Sequence, residues 1–276
     1  LPGPNLRAEY YVRSINTVYK YDMTDVVVTI VVLTRNNADT IVRCLRSALW
    51  AKKIILIDYS TDETARRART VVPAGQLEII RNSTEDDFAY LRNLGITKAD
   101  TDWVLFLDAD EVVSPDLAHE IEDSVIKTEF NGYYLKRKDF FLGKWLKHGE
   151  TGHIKLLKLG KKSAGKWRRA VHEVWDMMEP VGELQYPLLH YPHPTMADFI
   201  ARINRWTTLD AQEFYKQGVR SSFWKILLYP KAKFMLNYFV RRGVLDGMPG
   251  LIMAVAMSFH SFLTRGKLYF LQDQNN

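Results

Sequence analysis

The sequence predicts an α/β protein in which a doubly wound, mostly parallel sheet is flanked by helices and followed by a helical C-terminal extension. Short apolar runs alternate four times with helix-like segments between residues 26 and 130, which is the pattern of a parallel sheet. The apolar run WVLFL at residues 103–107 stops at Asp108, Asp110 and Glu111. It is typical of a strand buried on both faces that ends at the ligand-binding edge of a sheet, although a charged loop after a core strand would look the same.

The composition narrows the class of protein. With 276 residues, of which 47% are hydrophobic and 25% charged, the chain is long enough for a sizeable core and is not disordered. Its single cysteine, Cys44, excludes an internal disulfide framework and suits a reducing compartment. The net charge of +6 suits an anionic membrane surface, an anionic substrate or nucleic acid. Because the sequence contains no motif for reading base edges, we expect no nucleic-acid partner.

The strands and helices of the first half are predicted from their own local patterns. Residues 1–25 are polar and aromatic and predict an irregular lead-in. Apolar or β-branched runs predict strands at residues 26–33, 54–57, 77–80 and 103–107. Apolar residues at helical spacing predict helices at residues 38–49, 60–72 and 87–96, and a fourth from Pro115. Ser60 and Glu63 have the spacing of a capping box, which predicts Ser60 as the N-cap of the second helix.

After residue 130 the regular alternation ends. Short apolar patterns predict strands at residues 133–138, 153–159 and 188–191, and residues 195–217 have the spacing of a long helix. Residues 221–270 are predicted to be helical and are rich in aromatic residues and Met, with Lys and Arg between them.

Carboxylates that follow two of the predicted strands are candidates for binding chemistry. Asp58 follows the second strand and Asp108 the fourth, so in a parallel sheet both lie at one edge, where they can accept hydrogen bonds from a base or from ribose hydroxyls. The pair Asp108 and Asp110 suits a hard divalent cation completed by water and phosphate oxygens. Arg92 is a candidate for offsetting diphosphate charge, whereas Asp62 is equally explained as a first-turn acid that complements a helix dipole. The glycine-rich dinucleotide fingerprint and the P-loop are absent from the sequence, so nucleotide binding would use carboxylates and a metal.

An ordered set of residues resembles the family 2 inverting glycosyltransferases. Their fold, GT-A, is a Rossmann-like nucleotide-binding α/β domain followed by an acceptor-binding region. The set consists of Thr34-Arg35-Asn36, Asp58 with Ser60-Thr61-Asp62, Arg92-Asn93, and Asp108-Ala109-Asp110-Glu111. Downstream segments resemble the bacterial branch that adds sugars to the lipopolysaccharide inner core, namely Gly132-Tyr133, Lys136-Arg137, FLGKW at residues 141–145, Gly165-Lys166-Trp167, Val171-His172-Glu173 and Leu189-His190-Tyr191. The resemblance covers about residues 26–215.

The resemblance implies a role for each matching residue. The nucleotide-sugar donor would be bound by Thr34, Arg35, Asn36, Asp58, Asp62, Arg92, Asp108 and Ala109, with Asp58 on the base and Asp108 near the ribose and the metal. Mn²⁺ or Mg²⁺ would be held by Asp110 and Asp108, and His190 resembles a late histidine that some GT-A enzymes add to the metal. A histidine near an apolar strand is also a common structural residue. Glu173 is implied as the base that deprotonates the acceptor hydroxyl, with Asp176 as the second candidate.

Two positions depart from the family pattern. Asn37 stands where many relatives have Glu, and Tyr59 follows Asp58 where a small residue is usual. A tyrosine at this position can stack on the base or narrow the nucleotide pocket.

The C-terminal segment combines apolar and basic residues. Residues 223–240 mix aromatic and aliphatic side chains with lysines, and residues 251–263 are almost unbroken apolar, flanked by Arg265 and Lys267. This pattern is typical of helices that lie in a membrane interface and attract anionic lipid, although a helical cap on the sheet or a homo-oligomer interface has the same pattern. Since the sequence shows neither a signal peptide nor an apolar run of roughly 18 residues, we expect a cytoplasmic protein, peripheral on the inner face of the cell membrane.

The sequence therefore predicts a metal-dependent inverting glycosyltransferase that moves a hexose from a nucleotide sugar, expected to be UDP-linked, to a glycolipid or lipopolysaccharide-core saccharide. We predict a lead-in (1–25), a nucleotide-sugar-binding half (26–130), an acceptor-binding and catalytic half (131–220), and a membrane-interface or oligomer segment (221–276). Three alternatives are open: transfer to polyprenyl phosphate, a nucleotidyltransferase, and a non-catalytic sugar-nucleotide-binding protein. The first usually has long spanning helices and the second a glycine-rich basic loop, neither of which this sequence contains.

Overall fold

The structure is a computed structural model that describes residues 27–82, 87–126, 128–169, 173–192 and 195–274. The predicted lead-in, residues 1–25, lies outside the described residues. The chain divides into two compact units. We call Leu1–Arg137 with Lys155–His190 the sheet unit, and Lys138–Ile154 with Tyr191–Asn276 the helical unit. The predicted boundaries at residues 130 and 220 separate segments by function, so the division into compact units does not test them and they stay predictions.

Four parallel strands form the first half of the sheet, as the sequence predicts. They are β1 (Val28–Thr34), β2 (Lys53–Asp58), β3 (Leu77–Arg81) and β4 (Trp103–Asp108), in the order β3-β2-β1-β4. The register places Thr34 beside Asp58 and Leu33 beside Asp108. The carboxyl ends of β1, β2 and β4 therefore meet at one edge, where open α/β sheets bind their ligands.

The central strands are covered on both faces, which explains their unbroken apolar runs. Ile30 and Leu105 belong to the hydrophobic cluster on one face, and Val31 and Phe106 belong to the cluster on the other. All four side chains are fully buried. Because successive side chains on a strand point to opposite faces, a strand in the middle of a covered sheet is apolar at every position.

Short helices connect these strands. They are α1 (Ile41–Ser47), α2 (Thr64–Val71), α3 (Phe88–Lys98) and, after β4, α4 (Pro115–Ile126). Asp87 caps α3 by accepting a hydrogen bond from the Tyr90 amide at 2.8 Å, and the Ser114 hydroxyl accepts one from the Leu117 amide at the start of α4.

The predicted N-cap of α2 is wrong. The helix begins at Thr64, and Glu63 precedes it without making a side-chain capping bond. The hydroxyl of Ser60 instead accepts a hydrogen bond from the Asn36 amide at 2.8 Å, and the Ser60 amide donates to Asp58 Oδ1 at 2.9 Å. Hydrogen bonds between two loops thus replace the local cap that the spacing predicts.

The second half of the sheet is largely antiparallel, so the sheet as a whole is mixed. The remaining strands are β5 (Glu111–Val112), β6 (Gly132–Phe141), β7 (Lys144–Trp145), β8 (Lys155–Lys161), β9 (Gly165–Arg168), β10 (Val174–Met177), β11 (Val181–Glu183) and β12 (Leu188–His190). Strand β8 runs antiparallel to β4 and to β6, and β12 runs antiparallel to β5. Strands β9 and β10 form a separate antiparallel hairpin.

The helical unit has its own core. Its helices are α5 (Met196–Lys216), α6 (Phe223–Met235) and α7 (Met248–Asp273), with a π-helical turn at Leu236–Val240 and a 3₁₀ turn at Gly243–Asp246. The core contains Phe141, Leu146, Phe199, Ile203 and Met253. Across the described residues, no helix is both long enough and apolar enough to cross a membrane.

Candidate active site

The loops that follow β1 and β2 are joined by reciprocal hydrogen bonds. Asn36 has a left-handed backbone (φ 52°), a conformation that asparagine tolerates better than most residues. Its amide donates to the Ser60 hydroxyl, and its own Oδ1 accepts from the Thr61 amide at 2.9 Å. The Asn37 amide donates to Thr64 Oγ1 at 2.9 Å. These bonds fix the two loops against each other at the carboxyl edge of the sheet.

Asp58 lies at the end of β2 with a fully buried side chain. Its Oδ1 accepts a hydrogen bond from the Ser60 amide at 2.9 Å, and its Oδ2 lies 2.8 Å from Nη1 of Arg81 on β3. Thr34 is buried beside it in the register, and its hydroxyl donates to Asn37 Oδ1 at 3.2 Å. The carboxylate thus holds the turn after β2 and carries an arginine as counter-ion.

Asp62, Arg35 and Ala109 have different surroundings. The carboxylate of Asp62 accepts hydrogen bonds from the amides of Thr64 (3.0 Å) and Ala38 (3.3 Å), so it ties the two loops together. Burial acts to raise the pKa of Asp62, but the hydrogen bonds from Thr64 and Ala38 outweigh it and lower the pKa below its ordinary value. Arg35 is half-buried, and the side chain of Ala109 is buried in a core cluster of the sheet unit.

Asp108, at the end of β4, is held between two cations. Its Oδ1 lies 3.1 Å from Nη2 of Arg92 on α3, and its Oδ2 accepts from Nζ of Lys158 on β8 at 2.9 Å. Burial acts to raise the pKa of the Asp108 carboxyl, but the charges of Lys158 and Arg92 outweigh it and hold that pKa far below its usual range. The side chain remains 39% exposed, so solvent screens part of this attraction.

Glu111 is a second carboxylate that binds Lys158, and unlike Asp108 it is buried. Its side chain is fully buried, and its Oε2 accepts hydrogen bonds from the Asp108 amide at 2.9 Å and from Nζ of Lys158. Burial and the charge of Asp108 raise the pKa of Glu111 above its ordinary value, although Lys158 acts to lower it. Lys158 is itself only 5% exposed, and the two carboxylates raise its pKa against the effect of burial. The ammonium group is thus buried between two carboxylates.

Sequence reasoning missed Lys158. The residue belongs to the run KLLKLGK, where it reads as one of several lysines on an ordinary strand. Only the antiparallel pairing of β8 with β4 brings it beside Asp108 and Glu111. No local signal distinguishes it from Lys155, whose side chain on the same strand is 51% exposed.

Arg92 connects Asp108 to Glu173. Its Nε and Nη2 lie 3.0 and 2.9 Å from Glu173 Oε1, and the same Nη2 binds Asp108. The guanidinium, 7% exposed, packs on the ring of Trp167 with its carbon 4.7 Å from the ring centroid. The side-chain amide of Asn93 donates to the Trp167 carbonyl (2.9 Å) and accepts from the Trp167 amide (3.0 Å), so α3 holds β9 by its backbone.

The two candidates for the catalytic base have different surroundings. The side chain of Glu173, just before β10, is 18% exposed and lies in the Arg92 cluster. Asp176, within β10, is 60% exposed and pairs with Arg168 at 2.7 Å. The predicted partners Val171 and His172 lie outside the described residues.

Asp110 and His190 face each other beside this cluster. Asp110 Oδ1 lies 3.5 Å from His190 Nε2, and both side chains are buried. The pairing of β12 with β5, with His190 opposite Glu111, brings them together. Within the described residues, no cluster of three or more His, Cys, Asp or Glu side chains is able to hold a metal ion. One carboxylate oxygen and one imidazole nitrogen fit a divalent cation that takes its other ligands from water and a diphosphate.

In α/β proteins with an open sheet, ligands bind at the carboxyl edge of the parallel strands, which is where these charged side chains are gathered. The chain belongs to glycosyl transferase family 2, because the pattern of that family matches residues 29–178, more than half of the chain. This assigns glycosyl transfer as its activity and decides against the nucleotidyltransferase and the non-catalytic alternatives.

Two relatives extend over most of the chain. The lipopolysaccharide core biosynthesis glycosyltransferase LpsC of Rhizobium meliloti is 25% identical over 233 residues, which cover 82% of this chain and 86% of LpsC. An uncharacterized glycosyltransferase of Rickettsia typhi is 22% identical over 252 residues, which cover 86% of this chain and 85% of that protein.

Among solved structures, the mannosyltransferase PcManGT from Pyrobaculum calidifontis, in complex with GDP-Man and Mn²⁺, is similar with a TM-score of 0.55 and 14% sequence identity. The likeness covers 98% of this chain and 95% of that one. At this identity it concerns the fold, and it confirms the predicted GT-A architecture with a helical C-terminal region.

Replacing Lys158 by Met leaves Glu111 buried beside Asp108 without a cation. We expect the free energy of unfolding at pH 7 to fall by about 3–5 kcal/mol, the usual cost of breaking a buried ion pair. Without the lysine the pKa values of both carboxyls rise, so the native state of the variant binds protons more readily than the unfolded chain. The deficit should therefore shrink as the pH falls from about 7 towards 5, because protonation removes the buried charge.

Urea unfolding of both proteins across this pH range measures the effect. Lys155→Met is the matched control, because Lys155 lies on the same strand and its pair with Glu183 is exposed. We expect it to cost no more than about 1 kcal/mol. Equal losses in the two variants, or a Lys158→Met deficit that does not change with pH, would contradict the assignment.

Proposed function

We propose that this glycosyltransferase is a metal-dependent inverting enzyme that transfers a hexose from a nucleoside diphosphate sugar to a saccharide of a lipopolysaccharide-core-type glycolipid. The observation that carries the proposal is the single guanidinium of Arg92, which binds both Asp108 and Glu173. It joins the carboxylate at the ligand-binding edge of the sheet to a carboxylate suited to act on an acceptor hydroxyl.

The donor would bind along the carboxyl edge of β1, β2 and β4. We propose that Asp58 and the two hydrogen-bonded loops at residues 34–38 and 59–63 contact the nucleoside, and that Asp108 contacts the ribose. PcManGT, which is similar in fold, was solved with GDP-Man, and the name of LpsC refers to the lipopolysaccharide core; both support the proposal of a nucleoside diphosphate donor and a core saccharide acceptor. We propose UDP as the carrier, with Tyr59 beside the base.

Glu173 is the proposed base. In an inverting transfer the acceptor oxygen attacks the anomeric carbon on the face opposite the leaving diphosphate, while a carboxylate takes the hydroxyl proton. The two hydrogen bonds from Arg92 hold Glu173 Oε1 in one orientation, so the second oxygen of the carboxylate can receive the proton. The exposed pair of Asp176 with Arg168 makes Asp176 the weaker candidate.

Glu173→Gln should lower kcat by roughly 10²–10⁴-fold, because the amide keeps the shape of the side chain but does not accept the proton. Asp176→Asn is the matched control and should keep near wild-type activity. Transfer from UDP-hexose to deacylated lipopolysaccharide is measured together with UDP binding by calorimetry. A Glu173→Gln enzyme that binds UDP and turns over normally would exclude Glu173 as the base.

Asp110 and His190 would hold the metal, Mn²⁺ or Mg²⁺. Their carboxylate oxygen and imidazole nitrogen already converge to 3.5 Å. When bound, the ion supplies a Lewis acid that stabilises the negative charge on the leaving diphosphate. Asp108 would contact the metal as well as the ribose, with its two oxygens oriented by their ion pairs with Arg92 and Lys158.

Asp110→Ala should remove the effect of Mn²⁺ on nucleotide binding. For the wild-type protein we expect the melting temperature to rise more with UDP and Mn²⁺ together than with UDP alone, since only a ligand that binds the native state stabilises it. The variant should respond equally with and without Mn²⁺, whereas Asp116→Ala on α4 should behave as wild type. A full Mn²⁺ effect in Asp110→Ala would refute the role of Asp110 as a metal ligand. Repeating the measurement with GDP in place of UDP tests which base the donor carries.

We propose that the helical unit attaches the enzyme to an anionic membrane surface. None of the side chains of α6 is buried, and Phe223 and Trp224 are 66% and 64% exposed. Lysines at positions 225 and 231 are exposed on the same helix, and Arg242 is exposed shortly after it. Aromatic side chains beside basic residues fit the interface of a bilayer that contains anionic lipids.

Flotation with vesicles tests this attachment. The protein should float with phosphatidylglycerol-containing vesicles but not with pure phosphatidylcholine, and Phe223→Ser with Trp224→Ser should weaken binding about tenfold or more. Tyr186→Ser is the control, since this exposed tyrosine lies in the sheet unit. If the protein stays in the soluble fraction with both vesicle types, the proposal is wrong. If the wild-type protein is a dimer and the double variant is a monomer, the exposed surface of α6 is a subunit interface instead.

A further inference from the structure

Three aromatic rings of the helical unit form a cluster that is separate from its hydrophobic core. We call Phe140, Trp145 and Tyr191 the aromatic triad. The ring centroids of Phe140 and Trp145 lie 5.1 Å apart, those of Trp145 and Tyr191 5.2 Å, and those of Phe140 and Tyr191 5.5 Å. The rings meet edge to face or tilted, which are favourable arrangements for aromatic pairs. Each side chain remains partly exposed.

The pleat of the β6–β7 hairpin separates the triad from the core. Phe140 pairs with Trp145 across the hairpin, and Phe141 pairs with Lys144. Because neighbouring residues on a strand point to opposite faces, the triad lies on the face away from Phe141. Phe141 is 2% exposed and packs on Phe199 in the core of the helical unit. Two large aromatic side chains are thus directed away from the described core that their hairpin covers.

The segment that carries the triad is firmly held. Asp246, 3% exposed, accepts hydrogen bonds from the amides of Lys147 (3.0 Å) and His148 (2.8 Å), and its carbonyl accepts from Nζ of Lys144 (2.9 Å). The Leu146 amide donates to the Asp139 carbonyl at 2.9 Å. These bonds fix both sides of Trp145, so little conformational entropy is lost when a ligand binds there.

A cation lies beside the triad. Nζ of Lys138 is 5.4 Å from the centroid of the Trp145 ring, within the range of a cation–π contact. Partly exposed rings accept the C–H groups of a pyranose, whose partial positive charges meet the negative face of the aromatic quadrupole. An ammonium group next to such a surface suits hydroxyl or phosphate oxygens on the same saccharide.

We propose that the aromatic triad with Lys138 is a saccharide-binding subsite that stacks against a pyranose ring of the acceptor. That the ligand is the acceptor rests on the proposed function. The site itself rests only on residues of the helical unit. The subsite would contribute to the affinity for the acceptor.

Binding is tested directly by fluorine NMR. The protein is labelled with 5-fluorotryptophan, the Trp145 signal is assigned with Trp145→Phe, and deacylated lipopolysaccharide oligosaccharide is added. The Trp145 signal should shift and saturate, and the shift should weaken in Phe140→Leu, which keeps an apolar side chain but removes the aromatic ring. Trp224→Phe, on α6, is the matched control and should leave the Trp145 shift unchanged. A Trp145 signal that does not move with the oligosaccharide overturns the subsite.

Kinetics separate the subsite from the proposed function. Trp145→Ala should raise KM for the oligosaccharide about tenfold, roughly 1.4 kcal/mol, with KM for the nucleotide sugar and its acceptor-independent hydrolysis unchanged. Trp145→Tyr, which keeps an aromatic face, should restore most of the affinity, and equal losses in KM for both substrates would contradict the subsite. If the wild-type protein transfers no sugar while the Trp145 signal still shifts, the proposed function fails and the subsite stands.

Discussion

The charges at the end of β4 set the constraint on which the rest of the sheet unit depends. Two cations, Arg92 and Lys158, face three carboxylates, Asp108, Glu111 and Glu173. Removing charges from water costs several kcal/mol per ion unless each finds a partner with good geometry. The groups come from α3, β8, the end of β4, the start of β5 and the segment before β10, so these elements must meet at one place for all of the charges to be paired. The complete set of ion pairs therefore forms only when the sheet unit is folded.

Helix α3 has a central part in this arrangement. Asn93 binds the backbone of β9 at Trp167, and Arg92, its neighbour, binds Glu173 across the β9–β10 hairpin. Trp167 stacks on Trp175 with ring centroids 5.2 Å apart, and both pack edge to face on Phe106 of β4. The hairpin that contains Glu173, between β9 and β10, is thus packed on the strand that ends in Asp108. This packing holds Glu173 beside the carboxyl edge of the sheet.

The helical unit exposes large apolar side chains that do not belong to its core. Its core is formed by Phe141, Phe199 and their neighbours, whereas α6 contributes no buried side chain. A monomeric protein in water rarely keeps contiguous aromatic and aliphatic surface unless something covers it. The aromatic triad and the α6 face differ in chemistry. The triad is compact and held by backbone hydrogen bonds, which suits a small rigid ring, whereas the α6 face is broad and flanked by lysines, which suits an extended anionic surface.

The sequence by itself determined the four parallel strands, their helices and the gathering of Asp58 and Asp108 at one edge, because apolar periodicity and strand polarity are local properties of the chain. It also led to Arg92 and Glu173, through motif order. Only the tertiary structure decided how these groups are paired. The ion pairs of Lys158 depend on the register of β8 against β4. The hydrogen bond that Ser60 accepts comes from Asn36, in a loop that lies 24 residues earlier in the chain. Such long-range pairings are selected by the burial of whole elements, which no short window of sequence encodes.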